Sequence, residues 1–116
     1  MVNLLILKRM MINYINENEK IEIIKIKIDY QIKSLEKLFY NCKCIESIKF
    51  KKFHRNNLTD MSYMFSGCSS LKELNLNNFN TNNVTNMSDM FSGCSNDLIM
   101  KIKTQYKNIK EEAFEN

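Results

Sequence analysis

The sequence predicts an α/β repeat fold: a short solenoid with a parallel sheet on one side, short helices on the other, and a helix closing the C-terminal end. Three observations predict it. The hexapeptide MFSGCS stands at Met64–Ser69 and again at Met90–Ser95, a step of 26 residues. One step earlier LFYNCK begins at Leu38, so Cys42, Cys68 and Cys94 recur at the same interval. The residues after the first two of these cysteines then repeat one apolar spacing: Ile45, Ile48, Phe50 and Phe53, followed a unit later by Leu71, Leu74, Leu76 and Phe79. A fixed period of about 20–50 residues is the signature of stacked supersecondary units.

Taken in order, the first 20 residues fit either an N-terminal cap or the remnant of a longer protein: VNLLIL suits a strand and MMINYI a helical turn. The repeat stack spans residues 21–96. It opens with IEIIKIKI, where Ile24, Ile26 and Ile28 alternate with Lys25 and Lys27 as a first strand with one buried face should. Ser34 is placed to cap a short helix carrying Leu35, Leu38 and Phe39 inward. In the next two units Thr59 or Asp60, then Thr85 or Asn86, take the same capping position. Met61, Met64 and Phe65, and likewise Met87, Met90 and Phe91, follow at helical spacing and face the strands. Gly67 and Gly93 stop these helices at φ > 0, where glycine has no Cβ to clash. Asn41 holds that position in the first unit, the next-best residue for that backbone shape.

Between helix and helix the spacing L-x-x-L-x-L, followed by the Asn- and Thr-rich stretch 77–83, gives a strand and then a loop. Residues 97–116 break the pattern. Leu98, Ile102, Tyr106, Ile109 and Ala113 step by four, four, three and four, which predicts a capping helix over Asp97–Phe114 with Asn96 or Asp97 at its N-cap. The rival is one more strand through Met100–Lys103, because Met100 and Ile102 also fit the repeat register.

The segment LTDMSYMFSGCSSLKELNLNNFNTNNVTNMSDMFSGCS resembles the BspA-type leucine-rich repeat, found in surface proteins of bacteria and mycoplasmas and in AT-rich protists. The match is close over residues 58–96. It is looser over residues 34–57, where FHRNN stands for the more usual FNTNN. The resemblance implies a solenoid acting in adhesion or protein binding, and it implies no catalytic residues.

Composition narrows the function classes. The net charge is +4, and the basic excess lies in the first half: residues 1–57 carry 12 Lys or Arg against 6 acids, residues 58–96 carry 1 against 3, and residues 97–116 carry 4 against 4. That balance is too mild to mark a nucleic-acid binder. No run approaches the roughly 18 apolar residues of a membrane span. The apolar patch at the start has neither a basic region before it nor a small-residue cleavage site after it, so no signal peptide is expected and the default is reduced thiols in an intracellular setting. The three periodic cysteines read as a column of small buried thiols, with neither metal nor cofactor implied, since no C-x-x-C pair exists. His54 is the sole histidine and has no organised nucleophile beside it. No enzyme is expected. Asn57, Asn83 and Asn86 each begin an N-x-S/T sequon, but with no export signal visible, loops and caps are the better explanation of these residues.

The candidate binding residues are therefore the outward strand positions: Lys49 and Lys51 beside Ser47 in one unit, Glu73, Asn75 and Asn77 in the next, with Lys25 and Lys27 on the preceding strand. Ile48 and Phe50 must point inward, and neighbours on a strand alternate, so these side chains are forced outward. Such a face is basic at one end and suits an acidic protein surface or an anionic polymer. The expected function is a non-enzymatic protein-interaction module. The second reading is a truncated or degenerate repeat fragment without a partner, since about three units is near the minimum for a stable stack.

Overall fold

The computed structural model describes residues 28, 31–50, 56–77 and 79–115. The expected first strand at Ile21–Ile28, apart from Ile28 itself, lies outside these residues, as do the N-terminal 20 residues, Phe53 and His54. The described chain is a small α/β structure. Its regular elements are β1 (Ser47–Lys49), β2 (Glu73–Asn75), helix α1 (Asn96–Gln105) and a 3-10 turn at Glu111–Phe114.

The strands form where the alternation predicted them. Strands β1 and β2 pair in parallel with Ser47 opposite Glu73, Ile48 opposite Leu74 and Lys49 opposite Asn75, so the pairing offset is the 26-residue period itself. Ile48 and Leu74 face the core, and their neighbours on either side are exposed.

The predicted short helices are absent. Each segment is instead a run of overlapping turns. In the second unit, Met64 N–H donates to Met61 O (3.3 Å), Ser66 to Tyr63 (3.2 Å) and Cys68 to Phe65 (3.1 Å). The intervening amides leave the unit. Met61 donates to Asn86 O (2.9 Å), Tyr63 to Ser88 O (3.0 Å), Phe65 to Met90 O (2.9 Å) and Gly67 to Ser92 O (2.7 Å). The first unit does the same one step earlier: Leu35, Lys37, Phe39 and Asn41 donate to the carbonyls of Asp60, Ser62, Met64 and Ser66. Every second amide thus closes a turn, and every other one reaches the following unit, 25 residues on.

The physical reason is hydrogen-bond supply. A helix of six or seven residues forms few i→i−4 bonds against a costly nucleus, whereas this arrangement gives each amide a partner. It also requires left-handed residues inside the segment. Gly67 (φ +78°), Gly93 (+80°) and Asn41 (+59°) occupy that region as the sequence indicated, and Lys37, Tyr63 and Asp89 (+59°, +56° and +52°) occupy it as well. The expected caps survive as turn caps: Asp60 Oδ1 accepts from the amide and hydroxyl of Ser62, Asn86 Oδ1 accepts both from Ser88, and Ser34 Oγ accepts from the Glu36 amide.

The inward residues fuse the units into one core. Met61, Met64, Phe65, Met87, Met90 and Phe91 are fully buried with Leu35, Leu58 and Leu71. Phe39, Phe65 and Phe91 stack in a column, with centroids 5.7 and 5.5 Å apart and ring planes within 12° of parallel. Phe50 meets Phe65 and Phe79 edge-on.

The C-terminal region also differs from expectation. Helix α1 stops at Gln105, and its N-cap is Ser95, whose Oγ accepts from Leu98 N–H (3.2 Å), rather than Asn96 or Asp97. Leu98 and Ile102 are buried by it, while Met100 is 64% exposed, which excludes the rival strand. Tyr106 is extended (φ −123°, ψ 103°), so the chain turns back. Ala113 is buried not on a continued helix but in the 3-10 turn, which lies over the third unit.

Candidate interaction face

Strands β1 and β2 and the end of α1 enclose an open groove of about 560 Å³, lined by Ser47, Lys49, Glu73, Asn75, Asn77, Gln105 and Tyr106 together with the backbone-bearing Ile48 and Leu74. Four of the predicted site residues, Lys49, Glu73, Asn75 and Asn77, therefore meet on one surface. Lys25, Lys27 and Lys51 lie outside the described residues.

Register positions these side chains. With Ile48 and Leu74 directed into the core, Lys49 and Asn75 stand side by side across the parallel pair, and Ser47 stands beside Glu73. Asn75 Oδ1 accepts from Asn77 N–H (2.9 Å), which bends the chain as it leaves β2. The far wall comes from α1. Tyr106 Oη accepts from Leu76 N–H (3.0 Å), which fixes its ring at the groove, and Lys101 Nζ donates to Lys72 O (3.3 Å).

The described part of the face carries both signs of charge. Glu73 pairs with Lys101 at 3.5 Å, and Glu46 with Lys72 at 3.9 Å. All four side chains are at least half exposed, so each pair adds little stability. Lys49 has no ion pair among the described residues, and the groove lining carries one lysine and one glutamate. The alternation revealed the strand residues; it did not reveal Gln105, Tyr106 or Lys101. Tyr106 fitted an apolar helical stripe, and nothing in its spacing indicated that its hydroxyl would anchor β2.

Among the described residues the three periodic cysteines and several Asn and Thr side chains are engaged in the fold, whereas Cys44 is an exposed free thiol. Cys42, Cys68 and Cys94 are buried free thiols. Cys68 Sγ donates to Phe39 O (3.1 Å) and Cys94 Sγ to Phe65 O (3.2 Å), so each thiol reaches back to the preceding unit. Burial pushes Cys42 and Cys94 up to about 11 and raises Cys68 as well. A nucleophile or metal ligand must be a thiolate, and these thiols stay protonated at neutral pH. Among the described residues no group of three His, Cys, Asp or Glu side chains is placed to hold a metal ion. Asn83 Nδ2 donates to Asn56 O, and Thr59 and Thr85 hydroxyls donate to the carbonyls of Lys33 and Thr59, each joining neighbouring units. On the turn side Lys37 Nζ lies 5.7 Å from the ring centres of both Tyr40 and Tyr63. The neighbouring Asp89 carboxylate raises the Tyr63 phenol above its ordinary value.

A family model described as Mycoplasma protein of unknown function, DUF285, matches residues 7–116. The chain belongs to the DUF285 family. Comparison with curated proteins and with solved structures finds no significant match. The DUF285 match runs through the repeat region and the C-terminal closing segment alike, so α1 and the 3-10 turn are part of the family's extent. Among the described residues of this DUF285 chain, no helix is long and apolar enough to cross a membrane.

Proposed function

We propose that this DUF285 chain is a non-enzymatic protein-interaction module: a short solenoid of the BspA-like leucine-rich-repeat type that presents its strand face to a partner, in an adhesion-related setting. The observation that carries the reading is the groove over β1 and β2, where the outward residues of successive units converge with Tyr106 and Gln105. Amphipathic aromatic and amide side chains beside a charged lysine suit recognition of a polar protein surface. The 26-residue offset between the strands supports the repeat reading. Lys49, joined by Lys51 further along the chain, favours an acidic patch on the partner.

The test places a photo-crosslinking residue at Asn75, with a control at Lys37 on the turn side, in cells of the source organism. One defined partner should crosslink from position 75 and not from 37. The yield should fall as salt rises, because exposed charges are screened beyond about 8–10 Å near physiological ionic strength. It should also fall in a Lys49→Glu, Lys51→Glu variant. No crosslink from Asn75, or the same products from both positions, would mean that this face is a solvated surface only.

A further inference from the structure

The first two units hand alternate amides to the unit that comes after them. The third unit does so too, but its acceptors are supplied by the C-terminal tail. Asp89 N–H donates to Glu112 O (3.0 Å), Phe91 N–H to Ala113 O (2.8 Å) and Met87 N–H to the Glu112 carboxylate oxygen Oε1 (2.9 Å). Met87 thus keeps the 25-residue step to its acceptor, with a side-chain carboxylate standing where the other units present a peptide carbonyl. Phe114 then stacks on Phe91 at 5.5 Å and 12°, the spacing and angle with which Phe91 stacks on Phe65. Three consecutive residues, Glu-Ala-Phe, supply the acceptors and the ring that a full unit spreads over six. Lys103 holds the segment from outside: its Nζ is 3.5 Å from Glu111 and 4.9 Å from the centre of the Phe114 ring.

We propose that the edge of the third unit, Met87–Phe91 with Lys103 above it, is a peptide-binding site. In this structure it is filled in cis by Glu111–Phe114, and its ligand in trans is a partner segment with the same acidic–small–aromatic order. The edge recognises features a short peptide can carry: one carboxylate, two successive carbonyls and an aromatic ring. The resident segment is a single 3-10 turn in which only Ala113 is buried, and segments with so few buried contacts open most readily. Its competitive strength comes from tethering, which supplies an effective concentration on the order of millimolar. This site is separate from the strand-face groove and does not depend on the function proposed for it.

The experiment uses the full chain with Glu112→Ala and Phe114→Ala, and a fluorescent peptide of residues 110–116, KEEAFEN. The variant should lose hydrogen-exchange protection at the Asp89 and Phe91 amides while that of Phe65 persists. The peptide should bind it one to one and restore both protections, should bind the parent chain at least about tenfold more weakly because the tether competes, and should fail when its own Phe is Ala. Should that variant not fold, a full chain with a specific protease site inserted between Lys107 and Lys110 is cut after folding, and the labelled peptide should exchange into the vacated edge. Absence of binding to a folded chain whose edge amides are unprotected, or equal binding of the Phe→Ala peptide, overturns the proposal.

Discussion

Phe65→Ala should destabilise the protein by about 3–5 kcal/mol, the range for removing a fully buried phenylalanine. Phe65 is 0% exposed and is sandwiched between Phe39 and Phe91, with the edge of Phe50 against it. Alanine removes the buried apolar surface, leaves a cavity between two rigid units and breaks two stacking contacts, each worth about 0.5–1.5 kcal/mol beyond area. The hydrogen bonds from Phe65 N–H to Met90 and from Phe39 N–H to Met64 hold the backbones at their spacing, so the site cannot collapse to fill the hole. Against a total stability of about 5–15 kcal/mol, the loss removes a large part of the fold's margin. Phe114→Ala, at the half-buried end of the same column, should do less. Urea denaturation followed by circular dichroism measures both, and a Phe65→Ala effect under about 1 kcal/mol would contradict a stacked core.

Gly67→Val should cost about 2–5 kcal/mol, from two effects that add. The residue sits at φ +78°, where an L side chain costs about 1–2 kcal/mol. A Cβ there would also run into the Asn41 side-chain amide and lie 3.2 Å from the Asn41 Cα, and overpacking adds about 1–3 kcal/mol. The amide can rotate away; the Cα cannot. Gly93→Ala meets the Gly67 N and Cα at 3.2 Å without a side chain in the way, so it should cost less. Asn41 is tolerated in the same column because it lies beneath Gly67, with its own side chain occupying the space glycine leaves. If Gly67→Val melts with the parent in a thermal scan, the close approach of the units is wrong.

Much of this was legible in the sequence because period and alternation report burial directly. The inward Met and Phe positions, strands β1 and β2 in 26-residue register, the left-handed Asn41–Gly67–Gly93 column and the buried thiols all follow from spacing and residue type. The turns were misread as helices for a physical reason. Apolar residues at i, i+3 and i+4 mark the inner corners of overlapping turns as well as one face of a helix, so Met61, Met64 and Phe65 cannot separate the two. The signal that does separate them is a left-handed residue inside the segment, and it is carried by Lys37, Tyr63 and Asp89, types that do not announce that conformation. The closing segment was hidden in the same way: Ala113 continues a helical stripe, and only the return of the chain after Tyr106 shows Glu112 replacing a peptide carbonyl. At the candidate face, alternation exposed Lys49, Glu73, Asn75 and Asn77, while Gln105 and Tyr106 reach the groove from a distant part of the chain that no local pattern connects to it.

The central claim is that alternate amides of the first two units bond to the unit after them. Scalar couplings transmitted across hydrogen bonds, measured by NMR on uniformly labelled protein, test this directly. The account predicts couplings from the amide nitrogens of Met61, Tyr63, Phe65 and Gly67 to the carbonyl carbons of Asn86, Ser88, Met90 and Ser92. Couplings from Phe65 to Met61 and from Ser66 to Ser62, four residues back as in a helix, would contradict it.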